Sequence, residues 1–362
     1  MTEYAGRRRA VMESVDEEAF IAINLEGSDP ASIRYLTGFT GEGALILTDT
    51  KDLLLTDSRY TEQAKRETVD LKIEESRTWT GEGLIDLLAD IRVSRVGVAS
   101  KRISHHFFES LGKSGKVTPV AMSDPVAQLR KIKSPEEIAS LTEAARIAEN
   151  ALERLLGEIR IGMNEAEIAL RLEWLIREGE AEGVAFPFNV SAGENTALNH
   201  YNPVTGRRTL RSGNLLLFDF GACVNGYRSD ITRTFSVGKA TEEGKKIYKA
   251  VLEANLAAIA QAKAGRTGVE IDRVARDSIA SAGHVDHFGH GLGHGIGLEV
   301  HEAPFLSPRS KDTLESGMTV TIEPGIYIPG FGGVRIEDDV VITAEGCEVI
   351  TAFPKDRLIE VG

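Results

Sequence analysis

Two apolar runs in this 362-residue chain end in an acid at the same place. In TLRSGNLLLFDFG (209–221) the acid is Asp219, and in TLESGMTVTIEPG (313–325) it is Glu323. Beyond Asp219, Asn225-Gly226 signals a two-residue hairpin turn. That turn sets Val224 opposite Tyr227, Asp219 opposite Thr232 and Asp230 opposite Gly221. Strand alternation then projects Asp219 and Asp230 from one face as diagonal neighbours, about 7–8 Å apart along the backbone, with side chains able to converge. In GVRIEDDVVIT (333–343), Arg335 and Glu337 share a face of the strand that returns from Glu323.

A repeat relates the two runs, so the two hairpins are expected to meet and bring Asp219, Asp230, Glu323 and Glu337 to one point. Four partly buried acids repel, and either hold protons or bind cations. Their charge matches two divalent metal ions. The segment GHGLGHGIGLEVHEAP (289–304) adds imidazoles, which when neutral ligate transition metals. Oxygen-rich donors with one or two histidines favour Mn²⁺; Co²⁺, Fe²⁺ and Zn²⁺ also fit, and a thiolate zinc site does not. His290 and His294 have the i, i+4 spacing of a zinc-binding helix, but the intervening glycines predict an extended segment instead. A lone aspartate in a strand is usually just hydrogen-bonded; the repeat and the hairpin lift Asp230 above that reading. His105, His106, His284 and His287 lack such a setting and read as surface or structural. Cys223 reads as a small buried thiol, and Arg7–Arg9 and Asp16–Glu18 as solvated faces.

Several elements must position these residues. The repeat is wider than the two runs: Gly162, Glu167 and Ile168 recur as Gly265, Glu270 and Ile271, and His200 and Pro203 recur as His301 and Pro304. Each half reads as helices followed by strands. The predicted fold class of residues 126–362 is therefore α+β, with two pseudo-symmetric halves packing helices on one side of a shared, curved antiparallel sheet. The first helix starts at Ser134-Pro135-Glu136-Glu137, with a serine cap, proline in the first turn and acids at the positive end of the dipole. Residues 1–125 read as a smaller α/β domain. Its predicted strands are 19–25, 43–48, 52–57 and 95–100, and its predicted helices 60–68, 81–91 and 104–113. The boundary is placed near 123–133.

Composition excludes several classes. A net charge of -13 argues against a general nucleic-acid binder. No run approaches the ~18 apolar residues of a membrane span. Acids follow Arg7–Arg9 where an export signal needs an apolar stretch, so a short amphipathic helix is expected there. The two cysteines fit a reducing, cytoplasmic setting.

These residues resemble the pita-bread metallopeptidases, and within them the Xaa-Pro branch containing aminopeptidase P and prolidase. HGLGHGIGLEVHE (290–302) fits that branch's signature at every position, and IRYLTGFTGEGALIL (33–47) and LRKIKSPEEI (129–138) look like its creatinase-like N-terminal domain and linker. The resemblance implies metal ligands at Asp219, Asp230, His294, Glu323 and Glu337, with Asp219 and Glu337 bridging two ions. It implies catalytic roles for Glu323, as proton carrier, and for His200 and His301, with His290 and Arg335 shaping the proline pocket. Asn199 stands where many members have proline. The implied reaction is attack on an Xaa-Pro bond by a hydroxide bridging the ions, in proline-containing peptides, by a homodimer. Aminopeptidase P is the leading expectation and prolidase the second, separated by whether a cation grips the product-side carboxylate. A non-catalytic binding protein on the same scaffold is the third.

Overall fold

The computed structural model describes residues 2–362. It divides into two compact units, the first ending at Arg130 and the second running from Lys131 to Gly362.

The first unit is built on a six-stranded sheet. Its central strand, Ala19–Asn24, is buried along its whole length, runs antiparallel to Gly43–Thr48 and parallel to Arg95–Ala99. A strand with both faces covered reads as an unbroken apolar run, which is why AFIAIN was legible. Helices Thr61–Glu67, Glu82–Asp90 and His105–Lys113 fall where the pattern predicts them. The pattern missed the two edge strands, Lys72–Glu75 and Thr118–Met122, whose residues are mostly half-exposed and carry little apolar alternation. It also missed the eight-residue helix Pro30–Thr37, although Asp29 caps it and Pro30 opens it.

One expectation is overturned in this unit. Arg8 is not on a solvated face: it is 1% exposed, with Nε 2.6 Å from Asp52 Oδ2 and its other nitrogens donating to the carbonyls of Leu36 and Asp70. Helix Glu3–Glu13 carries this arginine inward because the charge meets both a carboxylate and backbone acceptors there.

The second unit shows the repeat in three dimensions. Helices Pro135–Leu156 and Glu165–Glu178 share a core with the strands Asn189–Ala192, Leu215–Phe220 and Ile231–Val237. Helices Glu242–Gln261 and Gly268–Ser281 share another with Glu302–Leu306, Thr319–Ile322 and Asp338–Ile342. Even isolated bridges are duplicated, Asn164 with Thr209 and Thr267 with Thr313. The Ser134 cap forms a full capping box with Glu137.

Two long hairpins carry the acids; the first breaks at Asp230 and the second at Glu323 and Glu337. In the first, Thr232 faces Asp219 and Val224 faces Tyr227 as the turn dictates. The ladder does not continue through Asp230, whose N–H leaves the hairpin and donates to Asp339 Oδ2 at 2.9 Å. Gly221 permits the break, since a Cβ there would lie 1.8 Å from the Ser229 carbonyl oxygen. In the second hairpin, Ile322 pairs with Asp338 and Gly325 with Arg335, leaving Glu323 and Glu337 facing one another across the interruption. The halves join there: Glu337 N–H donates to the Thr232 carbonyl at 3.1 Å, and the Thr234 hydroxyl to the Arg335 carbonyl at 3.0 Å.

Candidate metal centre

Interrupted ladders free the backbone to turn side chains into a shared cavity. One ligand atom each from Asp230, His294 and Glu337 lies within 4.8 Å of the others. Glu323 adjoins them, its Oε1 3.4 Å from His294 Nε2. The Asp219 carboxylate lines the same cavity and is held by the Arg335 guanidinium. Arg335 is itself fixed, donating to the Thr232 hydroxyl at 2.9 Å and to the Tyr327 hydroxyl at 3.0 Å.

The electrostatics show what the cluster demands. Burial pushes all four carboxyls up, Glu323 to about 8 and Asp230 and Glu337 well above the ordinary range, with neighbouring acids adding to the effect at each of those three. Asp219 is raised by burial too, against the pull of Arg335 and His200. Burial lowers His294 to about 4, so its ring is neutral. Its Nδ1 sits 3.1 Å from the Gly295 carbonyl, which fixes the proton on Nδ1 and turns the Nε2 lone pair toward Asp230 and Glu323. One oxygen of Asp230 is buried without a hydrogen-bond partner. Crowded acids, a lone-pair-bearing imidazole and an orphaned carboxylate oxygen make a donor set that suits divalent cations.

The segment carrying His294 is the short strand Gly293–Gly295, extended rather than helical. A Cβ on Gly293 would lie 2.0 Å from the Thr321 carbonyl oxygen, so the glycine is what admits this strand beside its neighbour. His290 does not join the acids. Its Nδ1 meets the Gly291 carbonyl at 2.7 Å and its Nε2 the Tyr327 hydroxyl at 2.8 Å, completing a chain from Arg335 through Tyr327. His301 stacks obliquely on His294, with ring centroids 4.3 Å apart. His200 lines the cavity from the other half.

Sequence reasoning passed over Tyr327, Thr232 and Asp339. Tyr327 follows Glu323 on an alternating strand and Asp339 stands in the run Glu337-Asp338-Asp339, so signals existed for both; Thr232 had none beyond its register opposite Asp219. The cavity encloses about 860 Å³, toward the upper end of small-ligand sites. Among the described residues that line it, Arg335 is the sole lysine or arginine, and Phe305 and Val204, which also line it, are exposed.

Residues 139–344 match the family model for metallopeptidase family M24, and residues 18–132 that for the creatinase/prolidase N-terminal domain. An Xaa-Pro dipeptidase of Pyrococcus furiosus is 35% identical over 355 residues, covering 97% of this chain and 99% of the relative. Two solved structures superpose on nearly the whole chain at 38% identity. One is an Xaa-Pro dipeptidase from Bacillus anthracis, with a TM-score of 0.93 and 99% of each chain covered. The other is an X-Pro aminopeptidase from Thermotoga maritima, with a TM-score of 0.90, covering 97% of this chain and 99% of that one.

Proposed function

Since the chain belongs to metallopeptidase family M24, we propose that it is an Xaa-Pro aminopeptidase, releasing the amino-terminal residue from peptides that continue beyond the proline. Relatives named as Xaa-Pro dipeptidases and as an X-Pro aminopeptidase support cleavage at Xaa-Pro, and do not choose between the two chain lengths. The observation that favours the longer substrate is the cavity's cation inventory. A dipeptide carries a free carboxylate beside its proline ring, and burying that charge calls for a cation. Arg335 is already committed to Asp219, Thr232 and Tyr327. A substrate with an amide in that place brings no such charge and meets the apolar Phe305 and Val204 instead.

Asp219, Asp230, His294, Glu323 and Glu337 would hold two divalent ions, with Mn²⁺ best matched to four carboxylates and one imidazole. Bound there, the ions supply Lewis acidity that activates water and the scissile carbonyl. The protein's own groups do the rest. The Glu323 carboxylate, held by the Thr321 hydroxyl at 3.2 Å, accepts a proton from water and returns it to the departing proline nitrogen. His301, steadied against His294, donates to the carbonyl oxygen as negative charge develops. His200 approaches from the opposite half and hydrogen-bonds near the scissile nitrogen. His290, lowered to about 4 chiefly by burial, stays neutral and with Tyr327 and Arg335 walls the proline ring. An Xaa-Pro bond has no N–H of its own, so the ring and the carbonyl are the handles left for orientation.

The two chain lengths separate in one comparison. Amidating the carboxyl of an Xaa-Pro dipeptide is expected to raise kcat/KM or leave it within about threefold, because no cation is lost from the complex. A fall of more than about tenfold on amidation would instead indicate a dipeptidase.

A further inference from the structure

The two cavity histidines that the repeat pairs, His200 and His301, are steadied in different ways. The His301 ring stacks on His294, and its neighbour Glu302 is fixed by a buried ion pair with Lys133 at 2.6 Å. Among the described residues, no side chain hydrogen-bonds to or stacks on the His200 ring, so its place depends on its backbone. That backbone is gripped on both sides. Before His200, the Asn189 amide donates to the carbonyls of Leu198 and Asn199 at 3.4 and 3.2 Å. After it, the Tyr201 hydroxyl donates to Glu165 Oε2 at 2.5 Å.

Glu165 is the hub of this grip. It is 0% exposed, and its carboxylate also accepts from Ala192 N–H at 2.7 Å, the Asn195 amide at 2.9 Å and Arg208 N–H at 2.8 Å. One side chain thus ties both ends and the middle of the segment 192–208 to the start of helix Glu165–Glu178. Gly206 makes room for it, since a Cβ there would lie 1.4 Å from the Tyr201 hydroxyl oxygen. The corresponding position in the second half is Gly268, so the device belongs to the first half alone.

We infer that Glu165 and Tyr201 are positioning residues for His200, holding its ring at the scissile bond through the Glu165–Tyr201 hydrogen bond. The inference rests on the role given to His200 above. A ring displaced by about 1 Å can cost on the order of a hundredfold in rate, so loss of the tyrosine hydroxyl acts on turnover rather than on metal content.

The test is a double-mutant cycle between Tyr201→Phe and His200→Ala in the full, Mn²⁺-loaded chain, with kcat and KM measured on an Xaa-Pro-Yaa tripeptide, together with a crystal structure of Tyr201→Phe. Tyr201→Phe is expected to lower kcat about 10- to 100-fold with metal stoichiometry unchanged, and to change kcat less than about twofold when His200 is already alanine. Glu165→Gln, which keeps one acceptor oxygen, should fall between wild type and Tyr201→Phe. Equal losses in both backgrounds, or a His200 ring unmoved in the crystal structure, would overturn the inference. A His200→Ala enzyme with normal kcat whose Tyr201→Phe structure still shows a displaced ring would contradict the catalytic role of His200 and leave the positioning role standing.

Discussion

The backbone N–H of Asp230 donates to the Asp339 carboxylate at 2.9 Å, so an acid from the second half of the repeat fixes a metal-ligand candidate of the first. Asp339 is fully buried and one of its oxygens has no partner; burial, with the nearby Glu337 adding to it, raises its pKa well above the ordinary range against the pull of the Asp230 N–H. Replacing it with leucine should free Asp230 and weaken Mn²⁺ binding by about 10- to 100-fold, the usual effect of losing a group that orients a ligand. Calorimetric titration of the metal-stripped variant measures this directly; unchanged affinity would remove Asp339 from the site's support.

Behind Glu337 lies a charged cluster that faces away from the cavity. Asp338 accepts from Arg233 at 2.9 Å, Thr351 at 2.9 Å and Asn255 at 3.0 Å, and contacts Lys355. Burial alone would raise its pKa, but Arg233 and Lys355 outweigh burial and hold the carboxyl below its ordinary value. Asp338→Ala leaves two cations without their anion and is expected to cost about 3–5 kcal/mol of stability. Urea unfolding of wild type and variant gives the difference, and a loss under about 1 kcal/mol would show that the cluster is dispensable.

How much of this was legible in the sequence differs by residue. The duplicated acids and the Asn225-Gly226 turn placed Asp219 opposite Thr232, because a two-residue turn fixes register without help from the rest of the fold. The departure of Asp230 from that ladder was not legible, since its partner, Asp339, is 109 residues away in the other half. Arg8 illustrates the same limit. Its helix has no apolar stripe to mark an inward face, and its burial depends on Asp52 and two carbonyls supplied by distant segments. Periodicity reports faces, and hydrogen-bond partners across a fold leave no periodic trace.

Metal removal should reverse how stability responds to pH. In the metal-free protein, Glu323 keeps its proton up to about pH 8, whereas the unfolded chain releases it near the ordinary 4.5. A raised carboxyl pKa contributes stability at low pH that is lost as pH climbs through the folded value. His290 and His294, lowered to about 4 from 6.5, work in the opposite sense, with stability rising over that range and flat above it. Between pH 6.5 and 8 the histidine effect fades and the carboxyl effect, to which the raised Asp230 and Glu337 add, prevails, so the Tm of the metal-free protein should fall there. With Mn²⁺ present it should not, because deprotonated ligands bind the cation more tightly. Melting curves at pH 6.5 and 8 with and without chelator decide it; a metal-free Tm that rises over this interval would contradict the electrostatic account.

The most direct measurement is hydrolysis of an Xaa-Pro-Yaa tripeptide by metal-stripped protein before and after Mn²⁺ is restored, beside the matching Xaa-Pro dipeptide and an Xaa-Ala-Yaa control. Restored metal should release free Xaa from the proline tripeptide, with kcat/KM for the dipeptide and for the alanine control lower by at least about tenfold. Absence of metal-dependent cleavage of either proline peptide, or a dipeptide cleaved in preference to the tripeptide, would contradict the proposal.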